Sequence, residues 1–154
     1  MASPEEKVQK IIATNRKARH EYFVLDTLET GLVLKGTEVK SIRQGNVSLT
    51  DAYAVLKNGE LWLVGMHVSP YEQGSYANVD PRRERKLLVH RREIRKLAGR
   101  LGEAGVTLIP LQLHFNKRVA KLLLGICRGK RAYDKREDIA RREAERDIRR
   151  HYAR

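Results

Sequence analysis

The dipeptide Asn58-Gly59 restricts the folding of this chain more than any other pair of residues. Both tolerate positive φ, which a tight two-residue turn between antiparallel strands requires. The segments on either side, residues 47–57 (VSLTDAYAVLK) and 60–68 (ELWLVGMHV), are rich in branched and aromatic residues and read as the two arms of a hairpin. Residues 20–28 (HEYFVLDTL) read as an earlier strand ending at the turn signal Glu29-Thr30-Gly31. Residues 32–42 continue in the same style, with a bulge or bend expected at Gly36. After a long loop at 69–85, residues 86–90 form a brief strand. In residues 91–105, Ile94, Leu97, Ala98 and Leu101 make one helical stripe, with Gly105 placed as its C′ glycine. Residues 106–116 alternate, with Ile109, Leu111, Leu113 and Phe115 expected on one face, and residues 119–127 close the body. Five to seven consecutive strands with one inserted amphipathic helix predict a mainly β fold. The arrangement is that of an OB-type antiparallel barrel, which leaves no free sheet edge; a sandwich reads similarly.

Charge then narrows the partner. Thirty-two Lys and Arg against 19 Asp and Glu give a formal +13, and neutralising phosphates releases counterions, so a polyanion is favoured. Nucleic acid precedes an anionic membrane surface, because no segment combines basic residues with a broad apolar helical face. No apolar run is long enough to span a bilayer, and the leader lacks the apolar centre of a secretory signal. The single cysteine, Cys127, excludes an internal disulfide framework, fits a reducing cytosol and reads as a packed small residue. Two regions are expected: a barrel with its leader at 1–128 and a basic tail at 129–154. The tail holds ten Lys or Arg and six Asp or Glu, with a thin stripe of Ala140, Ala144, Ile148 and Tyr152. Such a segment is expected to be disordered alone and helical once a polyanion neutralises it.

Catalysis finds no support. The five histidines are scattered, no metal-ligand spacing occurs, and no nucleophile elbow or phosphate-cradling loop is present. Neither a cofactor nor a metal is expected; whether Glu38, Asp51 and Asp80 pair in space is not legible. The basic clusters suit RNA better. Residues 15–20 (NRKARH) combine an amide, cations and an imidazole, groups fitted to phosphates and base edges. Residues 81–86 (PRRERK) are either a solvated loop or a phosphate clamp. Lys121 is a lone charge inside an apolar strand, with a structural acid or an RNA phosphate as its partner.

Four blocks, residues 13–45, 70–94, 105–115 and 128–139 (RGKRAYDKREDI), together resemble the SmpB family across nearly the whole chain. The resemblance implies an OB-type barrel that grips the tRNA-like part of transfer-messenger RNA, with a tail that follows the vacant messenger channel of a stalled ribosome. Carried onto matching positions, it implies RNA contact at Asn15, Arg16, Lys17, His20, Glu29, Leu88 and Lys121. It assigns Gly129, Lys130, Arg131, Tyr133, Asp134, Lys135 and Arg136, with Ile148 beyond them, to the tail that meets small-subunit rRNA near the decoding centre. Gly129 would be the hinge. Elongation factor Tu and alanyl-tRNA synthetase would be indirect partners through the RNA, and the setting would be the cytoplasm. The competing reading is a generic basic OB-type RNA-binding or ribosomal protein.

Overall fold

The computed structural model describes residues 9–72 and 78–130, together with 143, 144 and 146. In chain order the described elements are β1 (Gln9–Thr14), α1 (Arg16–Glu21), β2 (Tyr22–Leu32), α2 (Gly36–Arg43), β3 (Val47–Ser48), β4 (Tyr53–Lys57), β5 (Glu60–Val64), β6 (His67–Val68), β7 (Arg85–Leu88), α3 (Arg91–Leu101), β8 (Val106–Asn116) and β9 (Val119–Gly129). The hairpin forms where expected: Asn58 and Gly59 take φ of 53° and 75°, and Lys57 lies opposite Glu60.

The large sheet runs β1-β8-β4-β5-β7-β2-β9, and a further β8–β9 pairing closes it. Six strands thus form an antiparallel barrel with α3 inserted before its last two strands. β1 hangs on the outside of β8. β8 serves three neighbours because it is long: Leu108 pairs with Ala54 of β4, residues 112–116 pair with β1, and β9 lies along its other edge. The interior holds Leu61, Leu63, Leu87, Leu108, Leu113, Leu122 and Leu124, all nearly or fully buried. At ~1.5–3 kcal/mol for each buried side chain, this interior is the main source of stability.

Several elements depart from the sequence expectation. The leader contributes β1, because Ala13 and Ile12 pack on the core while their backbone pairs with β8. The expected strand at 20–28 begins only at Tyr22, since Asn15 caps a short helix ahead of it. The expected strand at 32–42 stops at Leu32 and gives way to α2, with Gly36 as its first residue and no bulge there. Glu38 accepts from the Lys35 N–H at 2.8 Å in the first turn of α2, while Ile42 and Val39 pack on the barrel. The stripe on α3 is narrower than expected, because Ala98 is exposed. That helix ends at Leu101, and Gly105 (φ 78°) instead turns the chain into β8.

The alternation along β8 breaks as well. Pro110 faces Leu124 and Gln112 faces Leu123, so Leu111 is the extra residue of a bulge. Leu113 and Phe115 therefore enter the barrel, whereas Ile109 and Leu111 join a second cluster with Ala18 and Cys127. One face predicted from periodicity is two.

Candidate nucleic-acid interface

The outer surface of β8 and β9 has a covered half and an open half, and α1 makes the difference. Ala18 lies over Ile109, Leu111 and Cys127, with Tyr22, Val24 and Leu123 around them. Gly125 makes room for this layer, because a Cβ there would sit 2.9 Å from a methyl of Leu111. Asn15 anchors the helix. Its Nδ2 donates to the carbonyls of Leu49 (3.1 Å) and Pro110 (3.0 Å), its Oδ1 accepts from the Ala18 N–H (3.1 Å), and its own N–H donates to Leu111 (2.8 Å). The amide is spent on the cap and on the bulge.

Asn15, expected at the RNA surface, is 3 % exposed with its amide engaged, and it positions α1. Arg16, Lys17 and His20 are carried on the exposed side of that helix, where Lys17 lies 3.7 Å from Asp51. Cys127 is sealed beneath it; burial pushes its thiol up to about 11, against an opposing pull from Arg19.

Beyond α1 the face is open. Gly31 of β2, Lys121 of β9 and His114 of β8 fall in one cross-strand row, with Leu88 of β7 opposite Gly31 and Ile11 of β1 opposite His114. Glu29, Gly31, Leu88 and Lys121 line one depression of about 390 Å³, so the structure brings together three of the residues carried over from the family resemblance. Gly31 keeps the floor flat, and Leu88 stands 53 % exposed beside it. Among the described residues Lys121 has no ion pair; no structural acid claims it. Beneath Glu29, buried His114 holds Nε2 3.8 Å from the carboxylate, and neither ring nitrogen finds a hydrogen-bond partner among the described residues. Sequence reasoning passed over His114 as one of several scattered histidines. The signal was its place on the outer, even-numbered side of β8, opposite Lys121.

The cluster at 81–86 resolves into neither of its two readings. Arg85 is fully buried and Arg83 partly so, and both grip Glu38 of α2. Arg85 Nε donates to Glu38 Oε2 at 2.6 Å, and its remaining nitrogens reach the carbonyls of Met66 (2.7 Å) and Pro81 (3.1 Å). Burial alone would raise the Glu38 carboxyl; the hydrogen bonds from Arg83, Lys35 and Arg85 and the charge of Arg85 outweigh it and hold the group below its ordinary value. Lys86 pairs with Glu60, and Asp80 accepts from the Arg82 N–H. Half of the cations in this run, Arg83 and Arg85, are thus internal bracing onto α2, while Arg82 and Lys86 stay at the surface.

At the exit of the barrel, Gly129 is the last paired residue of β9, opposite Tyr22, and the Lys130 ammonium sits 5.3 Å from the centre of the Phe23 ring. Arg131, Tyr133, Asp134, Lys135, Arg136 and Ile148 lie outside the described residues; of the expected tail helix only Glu143, Ala144 and Arg146 are described, and these are helical and exposed. Among the described residues no helix is long and apolar enough to cross a membrane.

Comparison with known proteins converges on one family. The model of the SmpB protein family matches residues 12–154. An SsrA-binding protein of Acetivibrio thermocellus is 58% identical over 144 residues, covering 94% of this chain and 92% of the relative. One from Desulfitobacterium hafniense is 55% identical over 143 residues (93% and 92%), and one from Salinispora arenicola 54% identical over 145 residues (94% and 91%). A chain in the solved structure described as "tmRNA-SmpB: a journey to the center of the bacterial ribosome" superposes with a TM-score of 0.66. It is 54% identical, and the match covers 78% of this chain and 84% of that one.

Proposed function

The chain belongs to the SmpB family, and on that premise we propose that it binds the tRNA-like domain of transfer-messenger RNA and delivers it to ribosomes stalled on messages without a stop codon. The observation that carries this reading is the convergence of Glu29, Leu88 and Lys121 on the part of the outer face that lies open beyond α1. A cation, an apolar side chain and a carboxylate suit RNA in distinct ways. Lys121 neutralises a phosphate, Leu88 supplies contact against a ribose or base face, and Glu29 accepts from a 2′-hydroxyl or an exocyclic amine. A carboxylate would be out of place if phosphates alone were gripped; it fits a surface that also reads sugar and base edges.

Arg16, Lys17 and His20, on the exposed side of α1, form a separate basic edge for ribosomal RNA or the RNA elbow. From Gly129 the tail, with Lys130, Arg131, Tyr133, Asp134, Lys135 and Arg136 leading to Ile148, enters the empty messenger channel near the decoding centre. Basic residues gain there only when no messenger competes for the phosphate-lined wall. The protein acts in the cytoplasm by binding, without catalysis, and meets elongation factor Tu and alanyl-tRNA synthetase only through the RNA.

The test is recovery of the protein from bacterial lysate with sequencing of the RNA that accompanies it, repeated with Lys121→Ala and with a chain ending at Lys130. Transfer-messenger RNA should dominate the wild-type sample, fall with Lys121→Ala, and persist with the truncated chain while rescue of stalled ribosomes is lost. A broad mixture of tRNAs and rRNA fragments would instead support the generic RNA-binding reading.

A further inference from the structure

Some cations of the barrel have a neighbouring acid: Lys57 pairs with Glu84, Lys86 with Glu60, Lys96 with Glu93, and Arg100 and Arg128 with Glu103. At one end of the barrel four cations stand together without one. Lys10 of β1, Arg43 at the end of α2, and Lys117 and Arg118 in the β8–β9 turn line a single cleft of about 430 Å³, floored by Ile12 and Phe115. No acidic residue lines it, and none of the four cations has an ion pair among the described residues.

Three separate elements bring these charges together, so their proximity comes from tertiary structure. Lys10 lies directly opposite Phe115 in the β1–β8 pairing. Lys117 takes φ of 58°, which turns the hairpin tip. The Arg43 guanidinium carbon lies 5.5 Å from the centre of the Phe115 ring. That ring holds one face of the guanidinium and leaves its edge of N–H donors free, the arrangement suited to a forked grip on two oxygens of a phosphate. Four like charges gathered without a counter-ion repel one another, and an anion removes the repulsion.

We propose that this cleft is a second phosphate seat, taking the phosphodiester backbone of the bound RNA; the proposal deepens the RNA-binding reading above and rests on it. The two seats lie on either side of the edge strand β1. From Lys121 the cross-strand row on the outer face passes His114 to Ile11, about 10 Å over two strand spacings; Lys10, paired with the inward Phe115, projects to the other face of that strand, so one RNA reaches both seats by passing around β1. The first seat reads sugar and base edges with mixed chemistry. The second is all positive and holds backbone without regard to sequence.

Charge-matched variants test it, using filter binding of a tRNA-like-domain transcript and of bulk tRNA across a salt series. Each phosphate that is no longer neutralised lowers the slope of log K against log salt by roughly 0.7–0.9. Lys117→Gln with Arg118→Gln should therefore flatten the slope by about 1.6 for both RNAs. Arg92→Gln with Arg95→Gln, the same reduction of charge on the exposed face of α3, should leave it nearly unchanged. Arg43→Lys keeps the charge but removes the fork, so it should weaken binding several-fold with little change of slope. Equal flattening by the two double variants would reduce the cleft to bulk charge and overturn the proposal, as would an unchanged slope in the cleft variant. Loss of binding only to phosphatidylglycerol vesicles would overturn it too. A wild-type protein that fails to prefer the transcript over bulk tRNA refutes the specific-RNA reading instead, and the difference between the two double variants still decides the seat.

Discussion

Replacing Asn15 separates a residue that touches RNA from one that builds the surface RNA meets. Asn15→Ala removes three side-chain hydrogen bonds, two to carbonyls of Leu49 and Pro110 and one that caps α1. At a net value of about 1 kcal/mol each, the loss comes to about 3 kcal/mol. For a domain of this size that lowers Tm by about 10 °C. Asn15→Asp is the sharper perturbation. As an ordinary N-cap, Asp equals Asn, so a purely local cap predicts no change. Here it would turn a carboxylate oxygen toward two carbonyl oxygens, and the expected loss is at least that of Ala. Thermal melts by circular dichroism give the stabilities, and RNA binding is read well below the lowered Tm, where the folded fraction should retain near wild-type affinity. An Asn15→Ala protein with an unchanged Tm and a lost RNA affinity would refute the structural assignment.

Glu38 contributes stability that is present above its unfolded-state pKa, about 4.3, and lost as pH falls through its lowered native value, because the unfolded chain then binds the extra proton. Glu38→Gln should flatten the acid limb of the urea midpoint between pH 5 and 3, and should cost about 3–5 kcal/mol at neutral pH by leaving the buried Arg85 charge uncompensated; an acid limb as steep as the wild type's would count against it. Cys127, buried and with its thiol pushed up to about 11, should resist iodoacetamide at pH 8 in the native protein and react fully in denaturant, and fast native labelling would show that α1 does not seal it. His114→Leu removes two buried ring nitrogens that lack partners among the described residues, so it should raise stability by about 1–3 kcal/mol in urea titrations; destabilisation would reveal a partner for that imidazole.

How far the sequence revealed the fold depended on the range of the forces involved. The Asn58-Gly59 hairpin, the helix α3 and the long strands β8 and β9 are set by local conformational preference and periodicity, and they stand where those signals put them. The misreadings are places where a distant partner decides. Residues 36–43 carry β-branched Thr37 and Val39 and read as strand, yet an ion cluster with arginines more than 40 positions away fixes Glu38 in the first turn of a helix. The alternation of β8 read correctly until Leu111, whose bulge is secured by Asn15 from nearly 100 residues earlier in the chain. Buried polar groups explain both failures. Arg, Glu and Asn have the same letters whether they face water, RNA or one another, and burial is invisible in one dimension.

The lone charge in an apolar strand follows from the same reasoning. Along β9 the outward positions change character where α1 ends. Cys127, Gly125 and Leu123 are small or apolar because Ala18 and Leu111 press on them. Lys121 and Val119 lie past the edge of that cover, on the open half. A strand roofed along its whole length would need an apolar residue at position 121, since an unpaired buried ammonium is too costly to keep. Open along its whole length, it would not need a glycine at 125 to admit a leucine from the neighbouring strand. The sequence GIC at one end and VAK at the other therefore records the length of a helix more than 100 residues away in the chain, and the outer face of the barrel lies open where that helix stops.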